Sequence, residues 1–437
     1  MNATEKSLSR AGRWLVLSVA FLGWMFAGLE MSIIPLVVRP AILSFEPAVE
    51  SPLSPGDAPT SPLKPSGEAE KRVGNWLAWY TCAFLLGAAS GGALFGWLGD
   101  RIGRSRAMAS AILCYSIFTG AVIWIRAPEE LLVLRFLACM GVGGIWPNGV
   151  ALVSEAWSEV SRPTLAGLIG AAANLGFVLL GMIGMRYAIT PDSWRWVFAI
   201  GAAPIVLGVF AWIFVPESPE WLATRNAPGA KPAKPMATVF RPPILKYTLI
   251  GICLGMIPVL GNWGGANWLV PWADKVAGVA DPHRKAMIQI LRSSGAAIGS
   301  LIGGWLASML GRRTTYFVIS LASLLVSGWI YHFVTPLDGW LFNSLAFALG
   351  FVGVAYFGWL PLYLPELFPT AVRATGTGVT FNFGRILAAP GVLGAGWLIQ
   401  HFGGDYAKVG SITSLIYVVG MVAICFAPDT SKRKLSE

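Results

Sequence analysis

Four charged side chains stand inside long apolar runs of this chain: Glu30, Arg135, Arg292 and Arg385. A charge near the centre of a bilayer costs at least about 2.5–3.5 kcal/mol on insertion scales, so each must face a wet cavity or a partner. A guanidinium presents a planar fork that meets a carboxylate in two parallel hydrogen bonds. A buried carboxyl changes its hold on a proton as neighbouring charge arrives or leaves. Three arginines against one glutamate leave a positive excess, which points to an anionic passenger, most simply an organic carboxylate. Arg385, near the middle of its run, is the first candidate for the anion contact, and Arg292 is the second. Glu30 is the candidate proton carrier, with H+ as the coupling ion. A structural ion pair between Glu30 and one of the arginines is the competing reading. Asn174, Trp263, Asn267, Gln289, Tyr356 and Asn382 supply candidate polar and aromatic walls for a substrate cavity.

The elements that must position these residues are membrane spans. The chain has 437 residues, 55% hydrophobic and only 12% charged, where a soluble protein carries about 25% charged residues. Twelve runs, roughly 14–38, 75–99, 104–126, 129–154, 163–189, 194–215, 244–271, 285–310, 313–334, 339–365, 372–401 and 406–427, are each long enough to cross a hydrocarbon core. With the N-terminus inside, the inner segments hold 18 Lys and Arg against 11 in the outer ones, which predicts that both termini are cytoplasmic. The same distribution disfavours nucleic acid as a partner despite the net charge of +10. The first run is too long for a signal-peptide core and is expected to be an uncleaved anchor.

Residues 39–73 are rich in proline and serine and are expected to form an extended outer loop, while 216–243 are expected to link two halves inside the cell. The resulting organisation is a tail over 1–13, one six-helix bundle over 14–215, the link, a second bundle over 244–427 and a tail over 428–437. Glycine-rich stretches at Gly87–Gly92, Gly141–Gly144 and Gly299–Gly304 predict close helix contacts. Gly255, Pro258, Gly261, Gly264 and Gly265 predict a bent or broken seventh helix. The five cysteines fall inside spans at no metal-ligand spacing and read as packing residues. His283, His332 and His401 form no cluster, and no nucleophile–base pair stands out, so no metal, cofactor or enzymatic activity is expected.

The halves echo one another. Gly96-Trp97-Leu98-Gly99-Asp100-Arg101-Ile102-Gly103-Arg104 returns 208 residues later as Gly304-Trp305-Leu306-Ala307-Ser308-Met309-Leu310-Gly311-Arg312, and the pair Glu155 and Arg162 returns 211 residues later as Glu366 and Arg373. Matching positions of two repeats line one cavity in repeat-built transporters, and Arg385 matches Asn174. The first echo resembles the loop after helix 2 of the major facilitator superfamily. Arg135 to Gly144 is similar to that superfamily's helix 4 motif, Pro216-Glu217-Ser218-Pro219-Glu220-Trp221-Leu222 to the segment after helix 6, and Pro365 to Gly376 to the helix 10–11 junction of sugar porters and metabolite:proton symporters. The resemblance implies an all-α membrane protein, twelve transmembrane helices in two six-helix pseudo-symmetric bundles. It implies a secondary transporter working by alternating access as a proton-coupled symporter of a small organic anion. An anion uniporter or exchanger, and an exporter of amphipathic or cationic compounds, remain the alternatives. It also implies a structural role for Arg135 and gating roles for Asp100, Arg101, Arg104, Glu155, Arg162, Glu366 and Arg373. A monomer in the lipid bilayer of a bacterial inner membrane is the expected setting. The first helix departs from the symporter pattern: Ala27 stands where a first acid is usual, and Glu30 supplies the second alone.

Overall fold

The computed structural model describes residues 8–45, 67–157, 162–219, 221–222, 235–369 and 372–430. Among them twelve membrane-length segments follow in order: α1 (Arg10–Ser44), α2 (Gly67–Ile102), α3 (Arg104–Ala121), α4 (Pro128–Ala156), α5 (Arg162–Arg186), α6 (Trp196–Phe214), α7 (Leu245–Ala277), α8 (Arg284–Leu310), α9 (Arg312–Phe333), α10 (Gly339–Glu366), α11 (Arg373–His401) and α12 (Tyr406–Cys425). Helices are the solution that lipid enforces, because a bilayer offers the backbone no hydrogen-bond partners and each segment must satisfy its own. Ten of these segments are long and apolar enough to span a membrane, and residues Gly170–Arg186 of α5 form a shorter apolar stretch.

Turning points are set by specific residues. Gly103, between α2 and α3, has φ 109°, and Gly311, between α8 and α9, has φ 82°. They are 208 residues apart, so the repeat reverses direction twice with the same left-handed hinge. Small residues then bring helices together. A β-carbon on Gly91 would stand 1.9 Å from the Met140 carbonyl, and one on Gly143 would stand 2.0 Å from that of Ala88, which locks α2 onto α4. β-Carbons on Gly295, Gly299 and Gly303 would likewise stand 2.1–2.2 Å from backbone carbonyls of α10. The predicted glycine faces are therefore helix contacts.

The same duplication governs how the halves meet. α2 packs on α11, and its repeat partner α8 packs on α5. Call the end of the bundle carrying the α1–α2 connection the distal end, and the opposite one, where residues 8 and 430 lie, the terminal end. Polar contacts between halves gather at the distal end. His283 Nδ1 lies 3.0 Å from the Gly184 carbonyl, Lys285 Nζ donates to the Ile189 carbonyl at 2.8 Å, and Gln289 Nε2 donates to that of Phe177 at 3.3 Å.

Two expectations are corrected. The loop expected over 39–73 is shorter, because α1 continues to Ser44 and α2 begins at Gly67; residues 46–66 lie outside the described ones. The reason is a buried charge cluster. Arg39 donates to Glu70 Oε1 from Nε at 2.9 Å and from Nη2 at 2.8 Å, and its Nη1 lies 3.5 Å from Asp274 of α7. Asp274 is in turn 3.2 Å from Lys285 of α8. Neutralised charges let both helices extend inward of the proline-rich stretch. The link over 216–243 is also more attached than a free linker. Glu217 caps α3 through the Ser105 amide at 3.1 Å, Ser218 bonds Glu155, and Trp221 Nε1 donates to the Asp100 carbonyl at 3.0 Å. Residues Pro235–Val239 form a short helix, and Thr248 Oγ1 donates to the Val239 carbonyl at 2.7 Å.

Candidate functional site

The seventh segment breaks where its glycines predict. Helix Leu245–Trp263 ends at Gly264, a 3-10 turn covers Ala266–Trp268, and helix resumes over Leu269–Ala277. The freed carbonyls find side-chain donors: Trp268 Nε1 reaches that of Gly264 at 2.7 Å, and the Tyr331 hydroxyl reaches that of Gly265 at 3.1 Å. Broken backbone at membrane depth is tolerated only with such cover or beside a cavity. The tenth segment breaks likewise at Tyr356–Gly358.

Beside these breaks lies a cavity of about 140 Å³ between the two halves. The first half contributes Trp24 and Met31 from α1, Phe84 from α2, Trp146 from α4, and Gly170, Ala173, Asn174 and Phe177 from α5. The second contributes Val259, Asn262 and Trp263 from α7, Arg292, Ser293 and Ala296 from α8, Val354 and Phe357 from α10, and Phe381 and Arg385 from α11. Trp24 and Trp146 meet with ring centroids 5.0 Å apart, and Phe84 and Trp263 at 4.3 Å. The walls are thus aromatic, and the fixed positive charge is guanidinium. Arg292 donates from Nη1 to Asn262 Oδ1 at 3.1 Å and lies 5.9 Å from the Phe177 ring centroid. Arg385 sits over the Phe381 ring, 4.7 Å from its centroid, one helical turn away. Neither has a carboxylate partner among the described residues.

The cavity therefore unites Arg385, Arg292, Asn174 and Trp263 from the sequence-predicted set. Asn174 and Arg385, 211 residues apart, both line it, and so do Phe84 and Arg292, 208 residues apart. Four other candidates lie outside its lining. Tyr356 is fully buried and its hydroxyl pairs with Ser320 at 2.6 Å. Gln289 ties α8 to the Phe177 carbonyl, Asn267 is buried in the 3-10 turn, and Asn382 faces Gly92 at the α2–α11 contact. The sequence reading passed over Asn262, although it adjoins Trp263. It also passed over Trp24, Trp146, Phe84, Phe177 and Phe381, because an apolar ring in a span carries no local sign of the face it presents.

Glu30 is placed otherwise than a cavity acid. It pairs with Arg135, both are nearly inaccessible, and Thr119 Oγ1 is 3.5 Å from Glu30 Oε1. The competing reading of a buried ion pair thus describes its geometry. The pair stands just behind the cavity wall: Met31 adjoins Glu30 and lines the cavity, as does Phe84, whose ring centroid is 5.7 Å from the Arg135 guanidinium.

The gating candidates occupy the terminal end. Asp100 pairs with Arg104 at 2.7 Å within its own half, and Arg101 lies over the Trp97 ring at 4.2 Å. Arg312 pairs with Glu366 at 2.8 Å, and Thr430 also bonds Glu366. Ser218 holds Glu155 in the first half just as Thr430 holds Glu366 in the second, 212 residues apart within Pro216-Glu217-Ser218 and Pro428-Asp429-Thr430. That third echo was present in the sequence and unread. The side chains of Arg162 and Arg373 lie outside the described residues.

Comparison with known proteins agrees with this architecture. The cis,cis-muconate transport protein of Acinetobacter baylyi is 27% identical over 348 residues, covering 76% of this chain and 82% of that protein. The 3-(3-hydroxy-phenyl)propionate transporter of Escherichia coli is 28% identical over 360 residues, covering 82% and 86%. In fold, a crystal structure of a D-xylose-proton symporter superposes with a TM-score of 0.71 at 18% identity, over 96% of this chain and 99% of that one. The family model described as Major Facilitator Superfamily matches residues 16–392. Twelve helices in two repeated halves, a cavity between them and a match over most of the chain make this protein an integral membrane transporter belonging to the Major Facilitator Superfamily.

Proposed function

We propose that this chain carries a small organic carboxylate across the bacterial inner membrane by alternating access, with H+ as the coupling ion. The observation that carries the reading is the pair of guanidiniums, Arg292 and Arg385, which line one aromatic-walled cavity without an acidic partner among the described residues. A buried cation without a counter-charge is costly, and an incoming carboxylate removes that cost through charge-assisted hydrogen bonds. Size narrows the class. An apolar cavity of about 150 Å³ accepts a benzene ring, and this one holds about 140 Å³. That matches the apolar body of a single ring or a conjugated chain of about six carbons, with its carboxylate directed to the guanidiniums at the wall. The relatives named for transport of muconate and of hydroxyphenylpropionate point to substrates of this kind. An exporter of cationic compounds would need the opposite charge in the cavity.

Proton coupling is assigned to Glu30. An anion arriving at the cavity competes for the field of Arg135 and changes how firmly the carboxyl holds its proton. The excess of Lys and Arg in the predicted inner segments supports cytoplasmic termini. The cavity is built entirely from one chain's two halves, which supports a functional monomer. Uptake of radiolabelled 3-hydroxyphenylpropionate into proteoliposomes tests the reading. An inward proton gradient is expected to accelerate wild-type uptake and to lose its effect in Glu30→Gln while exchange of acid for acid persists. Undiminished acceleration in Glu30→Gln would remove Glu30 from the coupling step. Gradient-independent uptake by wild type would favour the uniporter or exchanger.

A further inference from the structure

Resting on the organic-anion reading above, we infer that the cavity is built for a dianion: a rigid, unsaturated dicarboxylate whose two ends meet Arg385 and Arg292. Three arginines approach this region, and the charge on one of them is already cancelled, since Arg135 pairs with Glu30. Two uncompensated guanidiniums remain on one cavity. A monocarboxylate neutralises one and leaves the other buried without a counter-charge, whereas a dicarboxylate neutralises both.

The two arginines also reach the cavity from different helices. Arg292 comes from α8 and donates to Asn262 of α7, while Arg385 comes from α11 and lies over the Phe381 ring. Two separate forks on one cavity can each take one carboxylate of a dicarboxylate. Arg292 retains a donor for the purpose: Asn262 accepts from Nη1, and no described residue accepts from Nη2. The cavity walls carry rings, with Trp24, Trp146, Trp263 and Phe357 among them, which suit a flat conjugated body.

The test compares benzoate with terephthalate, the same ring carrying one or two carboxylates, by calorimetric titration of the purified full-length protein. Terephthalate is expected to bind wild type at least about tenfold more tightly, the scale of one added charge-assisted contact. Arg292→Gln should weaken terephthalate at least about tenfold more than benzoate and so abolish that preference, while Arg292→Lys, which keeps the charge, should retain a preference. Equal affinity of wild type for both acids overturns the proposal while leaving the organic-anion reading intact. Equal weakening of both acids in Arg292→Gln overturns it too, by making Arg292 a general structural support. Binding of neither acid to wild type counts against the organic-anion reading itself. Should Arg292→Gln fail to fold, the wild-type comparison decides alone.

Discussion

Glu30 and Arg135 show how a charge is made tolerable in lipid, and Arg292 and Arg385 show how it is put to use. The first two cancel one another within the first half; the second two are left facing a cavity. Replacing Glu30 by leucine strands the Arg135 guanidinium and should destabilise the protein by about 3–5 kcal/mol, the usual penalty for breaking a buried pair from one side. The double substitution Glu30→Leu with Arg135→Met should recover most of that loss, because both charges are then gone. Thermal unfolding in detergent micelles, run on the single and double variants, reads the difference. Arg385→Ala should instead leave stability near wild type and weaken carboxylate binding about 10- to 100-fold, the worth of one charge-assisted hydrogen-bonded contact. A titration showing unchanged affinity would move the anion contact elsewhere.

At the scale of the helices, two devices recur: close packing through glycine, and breaks covered by side chains. The α2–α4 contact leaves no room for a methyl group, since a β-carbon on Gly143 would meet the Ala88 carbonyl at 2.0 Å. Gly143→Ala should therefore cost about 1–3 kcal/mol, the range for forcing an atom into a filled interface. Gly394→Ala on α11, where nothing lies within 4 Å, is the matched control and should leave the melting temperature unchanged. The break in α7 is coupled to function by position. It hands Asn262 and Trp263 to the cavity on one side, and on the other the segment Leu269–Ala277 carries Asp274 into the distal charge cluster.

For the molecule as a whole, that cluster decides how the halves sit. Arg39 and Glu70 belong to the first half, Asp274 and Lys285 to the second, and Lys285 also reaches back to the Ile189 carbonyl. Asp274 is the one acid among them that faces cations from both halves, so Asp274→Asn should loosen the distal end. Spin labels at positions 192 and 337, exposed in the α5–α6 and α9–α10 connections, should then report a longer distance or a second, longer population. Unchanged distance distributions would show that apolar packing of α2 on α11 and α5 on α8 closes this end unaided. At the terminal end the pairs Asp100–Arg104 and Arg312–Glu366 each stay within one half, so these two pairs brace their own halves in this conformation.

Much of this protein was legible in its sequence because the governing physics is local or repetitive. Apolar length set the spans, the 208- and 211-residue echoes set the two halves, and Gly264–Gly265 marked the broken helix. The surplus of arginine over glutamate pointed to cationic cavity residues, and Arg292 and Arg385 do line the cavity, whereas Arg135 is paired with Glu30 behind it. Partnership was not legible. Glu30 and Arg135 are 105 residues apart, and Arg39 and Asp274 belong to different halves, so which cations are neutralised depends on how the helices assemble. Nor does a span declare which face it turns inward. Gln289 and Arg292 are three residues apart on α8, yet the first bonds a neighbouring backbone and the second reaches the cavity. Rotation of each helix about its own axis is set by packing against its neighbours, and only the tertiary structure contains that information.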